Sequence, residues 1–263
     1  MAERLATLTA HGPPGTEAQA LGPWFHNLHL PDGSETAPAH PLGDFPRMKW
    51  DQISAHVPPD LTGLTALDIG CNAGFYSFEL ARRGARVHAL DIDRHYLQQA
   101  AWAAGRYGLQ DAIEFQHGSV YSLARSREQY DIVWFFGVLY HLRHPLLALD
   151  ILRRVVRQKL FLQTLTSPGA AQATLPQNIT LGERAAMNRE GWPRMAFIER
   201  TLENDPTNWW APNSACVEAM LRAAGFRVVA RPAHEMYVAE PVNDESPVDA
   251  ELRRLELQAI LTP

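Results

Sequence analysis

The sequence predicts an α/β fold, a mostly parallel seven-stranded sheet with helices on both faces, and three observations predict it. Apolar runs of strand length alternate with helical periodicity between Leu64 and Leu165. The first run ends in a glycine-bearing loop, Gly70-Cys71-Asn72-Ala73-Gly74. The second ends in an acid, Asp91, about twenty residues further on, where a nucleoside-binding sheet places a carboxylate for ribose hydroxyls.

The elements follow in order. Residues 1–47 are rich in Gly, Pro and His, which predicts an irregular N-terminal arm with one short strand near Phe25–Leu30. Lys49–His56 has the spacing of a short helix stopped by Pro58-Pro59. Leu64–Ile69 is the first strand, Phe75–Arg83 a helix closed by Gly84, Arg86–Ile92 the second strand, and Arg94–Tyr107 a helix closed by Gly108. Ala112–Gln116, Tyr130–Phe136 and Lys159–Leu165 are the next strands, with a helix over Pro145–Arg157. The alternation then lapses. Thr166–Pro212 is long, polar and aromatic, the pattern of a substrate lid inserted after strand five. A helix over Ser214–Ala224, strands over Phe226–Ala230 and Glu235–Ala239, and a C-terminal helix over Val248–Leu261 complete the chain. The expected division is an arm over 1–47, a catalytic domain over 48–239 and a tail over 240–263.

Composition narrows the function. The 263 residues are 46% hydrophobic, enough for one decorated domain. No apolar run approaches the roughly 18 residues of a membrane span, and Met1–Thr16 lacks the basic head and apolar core of a signal peptide. Cys71 and Cys216 stand far apart, as in a reduced cytoplasmic protein rather than a disulfide framework. The net charge of −5 argues against a nucleic-acid partner. The nearest basic cluster, Arg153, Arg154, Arg157 and Lys159, reads as a solvated helix face. His141 and His144 have no third metal ligand at suggestive spacing, so no metal is expected.

The loop reads Asp68-Ile69-Gly70-Cys71-Asn72-Ala73-Gly74, not the G-x-G-x-x-G of a dinucleotide site. Asn72 stands at a position that needs backbone freedom, which Asn tolerates. This D-x-G-x-N-x-G resembles the first motif of class I methyltransferases that use S-adenosylmethionine (SAM). That Rossmann-like resemblance implies that the methionine part lies over Gly70, Cys71 and Gly74, with Asp68 positioning its amino group. It also implies that Asp91 and Ile92 meet the nucleoside, and that Ser119 and Val120 lie beside adenine.

A second resemblance is narrower. Phe135-Phe136-Gly137-Val138-Leu139-Tyr140-His141-Leu142-Arg143-His144-Pro145 is similar to the fourth-strand signature of the tRNA wobble-uridine carboxymethyltransferases, which use carboxy-SAM. Met48-Lys49-Trp50-Asp51 and Asn213-Ser214-Ala215-Cys216 resemble the same family, and the similarity runs from Pro23 to Ala239. It implies that Lys49 and Tyr140 contact the cofactor and that Phe136 packs on it. In that family a further lysine, the tyrosine and a C-terminal arginine hold the cofactor's carboxylate. Here His26 stands in place of that lysine, and Glu235 and Met236 stand where the arginine is sought. Plain SAM is therefore the expected donor.

Methyl transfer requires an acceptor atom held roughly 3 Å from the methyl group and in line with its bond to sulfur. A hydroxyl or amine acceptor also needs a base, for which His26 and His141 are candidates because an ordinary imidazole titrates near neutrality; Tyr140 joins them at the catalytic edge. Trp24, His29, Trp192, Trp209 and Trp210 are candidate substrate contacts. The expected activity is O- or N-methylation of a small metabolite or natural product. The alternatives are tRNA wobble-uridine modification and a SAM-fold partner protein without turnover.

Overall fold

Strand β1 (Thr65–Ile69) is buried along almost its whole length, as a strand must be when parallel neighbours flank it and helices cover it. Thr65 to Ile69 pair with Arg86 to Leu90 of β2 (Arg86–Asp91), and Ala66 to Ile69 pair with Ile132 to Phe135 of β4 (Tyr130–Phe136). β3 (Ile113–His117) lies parallel on the far side of β2. The carboxyl ends of these strands therefore share one edge. The structure is a computed structural model and describes residues 14–169, 171–242 and 247–261. It divides into two compact units, one running to Phe135 with Val155–Lys159, the other taking Phe136–Arg154 and Leu160 onward.

In the first unit, helices α1 (Pro14–Ala20), α2 (Phe45–Ile53), α3 (Phe75–Arg82) and α4 (Arg94–Tyr107) accompany the strands. The expected helix near Lys49 begins four residues earlier, at Phe45, with Pro46 in its first turn, where a missing N–H costs nothing. α4 starts at Asp93, whose carboxylate accepts the His95 N–H at 2.8 Å, and ends at Gly108 in the left-handed region.

The arm differs most from expectation. No strand forms over Phe25–Leu30; the only ladder there is a single bridge between His29 and Glu35. Instead the arm is tied to α4 by one helical face. Gln99, Trp102 and Arg106 recur at i, i+3 and i+7. Gln99 donates to the carbonyls of Leu21 and Pro23 at 2.7 and 2.8 Å. The Trp102 indole donates to Glu17 at 3.0 Å, and Arg106 pairs with Asp32 at 3.0 Å. Trp24 is buried here, its indole N–H donating to the Ala18 carbonyl at 2.6 Å and its ring 5.7 Å from that of Trp102. Trp24 thus packs within the arm against α4. Within the arm His26 is buried and His29 is exposed.

The second unit begins at Phe136, the last residue of β4. α5 (Pro145–Val155) leads to β5 (Val156–Gln163), then come the short β6 (Met195–Phe197) and β7 (Trp210–Pro212), α6 (Ser214–Ala223), β8 (Phe226–Ala230), β9 (Met236–Pro241) and α7 (Pro247–Leu261). β9 runs antiparallel to β5 and to β8, while β6 and β7 pair only with each other. The sheet order is β3-β2-β1-β4-β5-β9-β8, the mostly parallel seven-stranded α/β sheet that the sequence predicts. No described helix is long and apolar enough to cross a membrane.

α5 stops at Val155, so Arg157 sits on β5 and the basic residues do not form the single helix face expected of them. Arg157 serves a buried carboxylate. Asp131, at the start of β4, accepts from the Thr65 N–H at 2.9 Å, the Thr65 hydroxyl at 3.0 Å, Arg157 at 2.8 Å and Gln158 at 2.9 Å. Burial alone would raise its pKa, but these donors hold it below the ordinary carboxylate value. Asp131→Ala orphans the Thr65 N–H, half-buried at the start of β1, and is expected to cost about 2–3 kcal/mol in urea unfolding at pH 7, with Asp131→Asn costing less. Because the folded pKa is depressed, this stabilisation is full above the ordinary value of 3.8 and is lost as pH falls through the folded pKa. The gap between wild type and Asp131→Ala should therefore close on acidification.

Candidate active site

The loop after β1 is shaped by its own hydrogen bonds. Gly70 and Cys71 both donate their N–H to the Leu90 carbonyl, at 2.7 and 3.1 Å. Asn72 donates its N–H to Asp91 Oδ2 at 2.8 Å, Ala73 to the Asn72 side chain at 2.7 Å, and Gly74 to the Cys71 carbonyl at 2.9 Å. Gly70, Asn72 and Gly74 all have positive φ. Gly74 is required for a second reason: a Cβ there would lie 2.7 Å from the Phe78 ring and 3.2 Å from Ala100. All five loop N–H groups are thus consumed within the protein, and none is left for a pyrophosphate.

Asp91 closes β2 beside this loop. Its Oδ1 accepts the Asp93 N–H at 2.8 Å, so each carboxylate oxygen takes a backbone donor, and with the Ile92 N–H as a third the four acceptor positions are not all filled. Burial raises its pKa, opposed by those backbone donors. Ile92, the next residue, is 71% exposed, an apolar side chain standing in solvent beside the buried acid. The Gly118 N–H donates to the Asp91 carbonyl at 2.9 Å, which brings the turn after β3 to the same edge. There Ser119 opens a short 3₁₀ turn and Val120 is buried. Asp68 is buried under the loop, with Oδ2 accepting from the Ser77 hydroxyl at 2.6 Å. Burial pushes its pKa to about 7, with Asp91 adding to the rise and Ser77 opposing it. Ser77 was not singled out from sequence, although its place three residues after Gly74 is legible. Cys71 is a buried free thiol.

His26 lies in a set of rings, with Phe25, Phe45, Phe75 and Tyr76 at centroid distances of 5.6 to 6.5 Å. The Lys49 ammonium is 5.5 Å from the centroid of Phe45. Burial, the charge of Lys49 and His40 lower the His26 pKa to about 3. The premise that this imidazole titrates near neutrality is corrected: it is neutral at physiological pH and a weak base. Its Nδ1 is buried without a hydrogen-bond partner. His29 is held by Asp44, 2.6 Å from its Nε2, so it pins the arm.

The second unit carries its own polar cluster. After Phe136, Gly137 turns the chain at φ 70° into a 3₁₀ turn over Leu139–His141. Tyr140 is largely buried, its pKa pushed up to about 12 by burial, Glu235 and Asp205, so it stays protonated as a donor. Its ring lies 4.1 Å from that of His141, and its carbonyl accepts the Trp209 N–H at 2.9 Å. His141 Nδ1 is 2.9 Å from the Thr207 hydroxyl oxygen and 3.3 Å from the Thr207 carbonyl. Asp205 accepts from that hydroxyl at 2.6 Å. Arg143 stacks on Trp209 at 4.6 Å, and the Phe197 ring lies 6.2 Å from that of Trp209 and 5.1 Å from that of Trp210. Trp192 is bound through its backbone, its carbonyl accepting from Asn213 at 2.8 Å. Thr207 and Asp205 were missed in the sequence because 66 residues separate Thr207 from His141. Among the described residues no group of three His, Cys, Asp or Glu stands together as a metal site would.

Residues 67–162 match the family model described as "Methyltransferase domain". The tRNA U34 carboxymethyltransferase of Pseudomonas paraeruginosa is 29% identical over 181 residues, 68% of this chain and 49% of that protein. The ubiquinone biosynthesis O-methyltransferase of Psychrobacter cryohalolentis is 36% identical over 91 residues, 34% of this chain and 35% of that protein. The chain spans about half the length of the first of these relatives and about a third of the second. Among solved structures, the N-terminal domain of EvdMO1 with SAH bound superposes with a TM-score of 0.57 at 20% identity, covering 86% of this chain and 94% of that one. The resemblance carried by the sequence motifs is borne out by these matches: residues 67–162 match a methyltransferase-domain model, and the fold is the Rossmann-like class I fold of solved structures that include one with SAH bound.

Proposed function

We propose that this chain is a SAM-dependent methyltransferase whose acceptor is an oxygen or nitrogen of a small metabolite or natural product. The observation that carries the reading is the loop whose five N–H groups are already spent beside an acid whose acceptor positions are not all filled. That arrangement suits a ribose and an amino-acid tail and does not suit a pyrophosphate, which needs free loop N–H groups. Asp91 would hold the ribose, Ile92 would give adenine an apolar face, and Ser119 and Val120 would flank it. Gly70, Cys71 and Gly74, with Asp68 beneath, would frame the methionine part. Lys49, Phe136 and Tyr140 join them through the family resemblance. When bound, SAM supplies a methyl group already activated on a sulfonium.

On the acceptor side, the insertion Thr166–Pro212 would act as a lid, with Trp192, Trp209 and Trp210 as its aromatic contacts. His141 is the better base of the two histidines, since it is partly open to solvent and faces a carboxylate, whereas His26 is enclosed and held neutral. A small acceptor is favoured by the charge balance and by the use made of the arginines: Arg157 serves Asp131, and Arg153 donates to the Val242 carbonyl at 2.7 Å. The second reading, tRNA wobble-uridine modification, is favoured by the motif around Tyr140 and by the likeness over 68% of the chain. A third is a SAM-binding partner protein that turns nothing over.

Three measurements test the cofactor assignment and separate the first two readings. In calorimetry, Asp91→Ala should weaken SAM by about 1.5–3 kcal/mol, the scale of hydrogen bonds to a charged group, and NAD should not bind. Tight NAD binding, or unchanged SAM affinity in the variant, overturns the cofactor assignment. In a competition between SAM and carboxy-SAM, plain SAM should win. A neutral His26 replaces a lysine, and Glu235, at the arginine's place, is occupied with the Thr166 N–H at 2.7 Å and Gln163 at 3.0 Å. In filter binding with bulk tRNA across a salt series, we expect no submicromolar, steeply salt-dependent binding. If such binding appears and substitution of Arg153 and Arg154 abolishes it, the tRNA reading takes precedence.

A further inference from the structure

We propose that Thr207 and Asp205 are a positioning pair that fixes the tautomer of His141 and leaves its Nε2 as the base for the acceptor's proton, an inference that rests on the methyltransferase reading above. The argument is a count of hydrogens. The Thr207 hydroxyl has one hydrogen and two neighbours, Asp205 Oδ1 at 2.6 Å and His141 Nδ1 at 2.9 Å. An ionised carboxylate only accepts, so the hydroxyl must donate to Asp205. Asp205 is ionised at neutral pH: burial opposes this, but the Thr207 hydroxyl and N–H and the neighbouring His141 hold its pKa below the ordinary value. The hydroxyl oxygen then faces Nδ1 with a lone pair. The second oxygen near Nδ1, the Thr207 carbonyl at 3.3 Å, also only accepts. Two acceptors facing one ring nitrogen place the proton on Nδ1 and the lone pair on Nε2.

A second observation shows that the pair is held in place. Asp205 follows two consecutive non-glycine residues with positive φ, Glu203 at 53° and Asn204 at 60°. Leu202 and Asp205 bridge across them, the geometry of a two-residue turn that ordinarily uses Asn-Gly. A glutamate in that position is strained and persists only where its surroundings over-determine it. Those surroundings are Asn208, buried and donating to the Leu202 carbonyl at 3.0 Å, and the Thr207 N–H, which donates to Asp205 at 2.7 Å. The turn thus aims a carboxylate at a threonine that in turn orients an imidazole.

The chemistry balances. The acceptor's electron pair forms the bond to the methyl carbon, the carbon–sulfur pair stays with sulfur, and the acceptor's proton passes to Nε2. His141 becomes an imidazolium whose Nδ1–H keeps its two oxygens, with Asp205 Oδ2 3.8 Å away to stabilise the charge. Burial lowers the His141 pKa, and Asp205 and the Thr207 carbonyl oppose the shift. The neutral, base-competent form therefore prevails at neutral pH, and activity should fall as pH drops through that pKa.

The test uses the full chain with isotope-labelled histidine and SAH, with His141→Gln to assign the resonance. The neutral His141 should carry its proton on Nδ1. Thr207→Val should give a mixture of tautomers, Thr207→Ser should restore the single one, and Asp205→Asn should lower the His141 pKa. With methyl-labelled SAM and a metabolite extract as acceptor pool, Thr207→Val should transfer methyl about tenfold more slowly, the scale of one hydrogen bond. Asp205→Asn should move the acid limb of the rate profile to lower pH, and SAM affinity should not change in either variant. A proton on Nε2 in the wild type, or tautomer and acid limb indifferent to both variants, overturns the inference. Failure of the wild type to bind SAM would instead overturn the methyltransferase reading, because the tautomer measurement does not depend on turnover.

Discussion

The constraint on which the loop after β1 depends is the parallel pairing of β1 with β2, because that pairing supplies the loop's partners. The ladder brings the Leu90 carbonyl to Gly70 and Cys71, and one residue later Asp91 takes the N–H of Asn72. A loop with three residues at positive φ is entropically costly to hold, and these bonds hold it in one shape before any ligand arrives. On the proposed reading, the same bonds decide what the loop would recognise. In a phosphate-binding loop the N–H groups point outward and the ligand satisfies them. Here the protein satisfies them itself, and the loop offers shape and close approach rather than donors.

The two histidines show how environment assigns different chemistry to one residue type. His26 is enclosed by Phe25, Phe45, Phe75 and Tyr76, with the charge of Lys49 nearby. Desolvation and a like charge both oppose protonation, and nothing in that cluster counters them. His141 is also desolvated, but Asp205 and two Thr207 oxygens lie on its Nδ1 side. A cation formed there is solvated by fixed groups, so the ring can both accept a proton and release it. Sequence spacing alone gave the two residues equal standing, because burial and charge neighbours are properties of the fold.

The regular elements were legible because each carries a local signal. The parallel strands read as apolar runs, and α4 reads from Asp93 to Gly108 through its caps. The loop and Asp91 were legible through their spacing. The arm was not, since its order comes from α4: Gln99, Trp102 and Arg106 lie within an alanine-rich stretch, and their partners, from Glu17 to Asp32, are distant in the chain. The basic cluster misled for a related reason. Helical periodicity continues past Val155, but Asp131 draws Arg157 and Gln158 into the start of β5, and a buried acid outweighs a weak local propensity.

The two ends of the chemistry are built in different ways. The cofactor loop hangs on a ladder buried on both faces, where slippage by one residue would expose apolar side chains and unpair Asn72. The His141 cluster hangs on irregular chain, and irregular chain is usually ordered less firmly. The strained turn at Glu203–Asn204 answers that difficulty. Its conformational cost is local, while its gain is to direct the Asp205 carboxylate onto the Thr207 hydroxyl without help from a strand or helix. A glycine at either position would relieve the strain and also widen the set of turns open to the segment, loosening the hold on the imidazole. Holding the proposed cofactor through a buried ladder while orienting the proposed base through an irregular segment would let the acceptor side vary in sequence without disturbing the sheet.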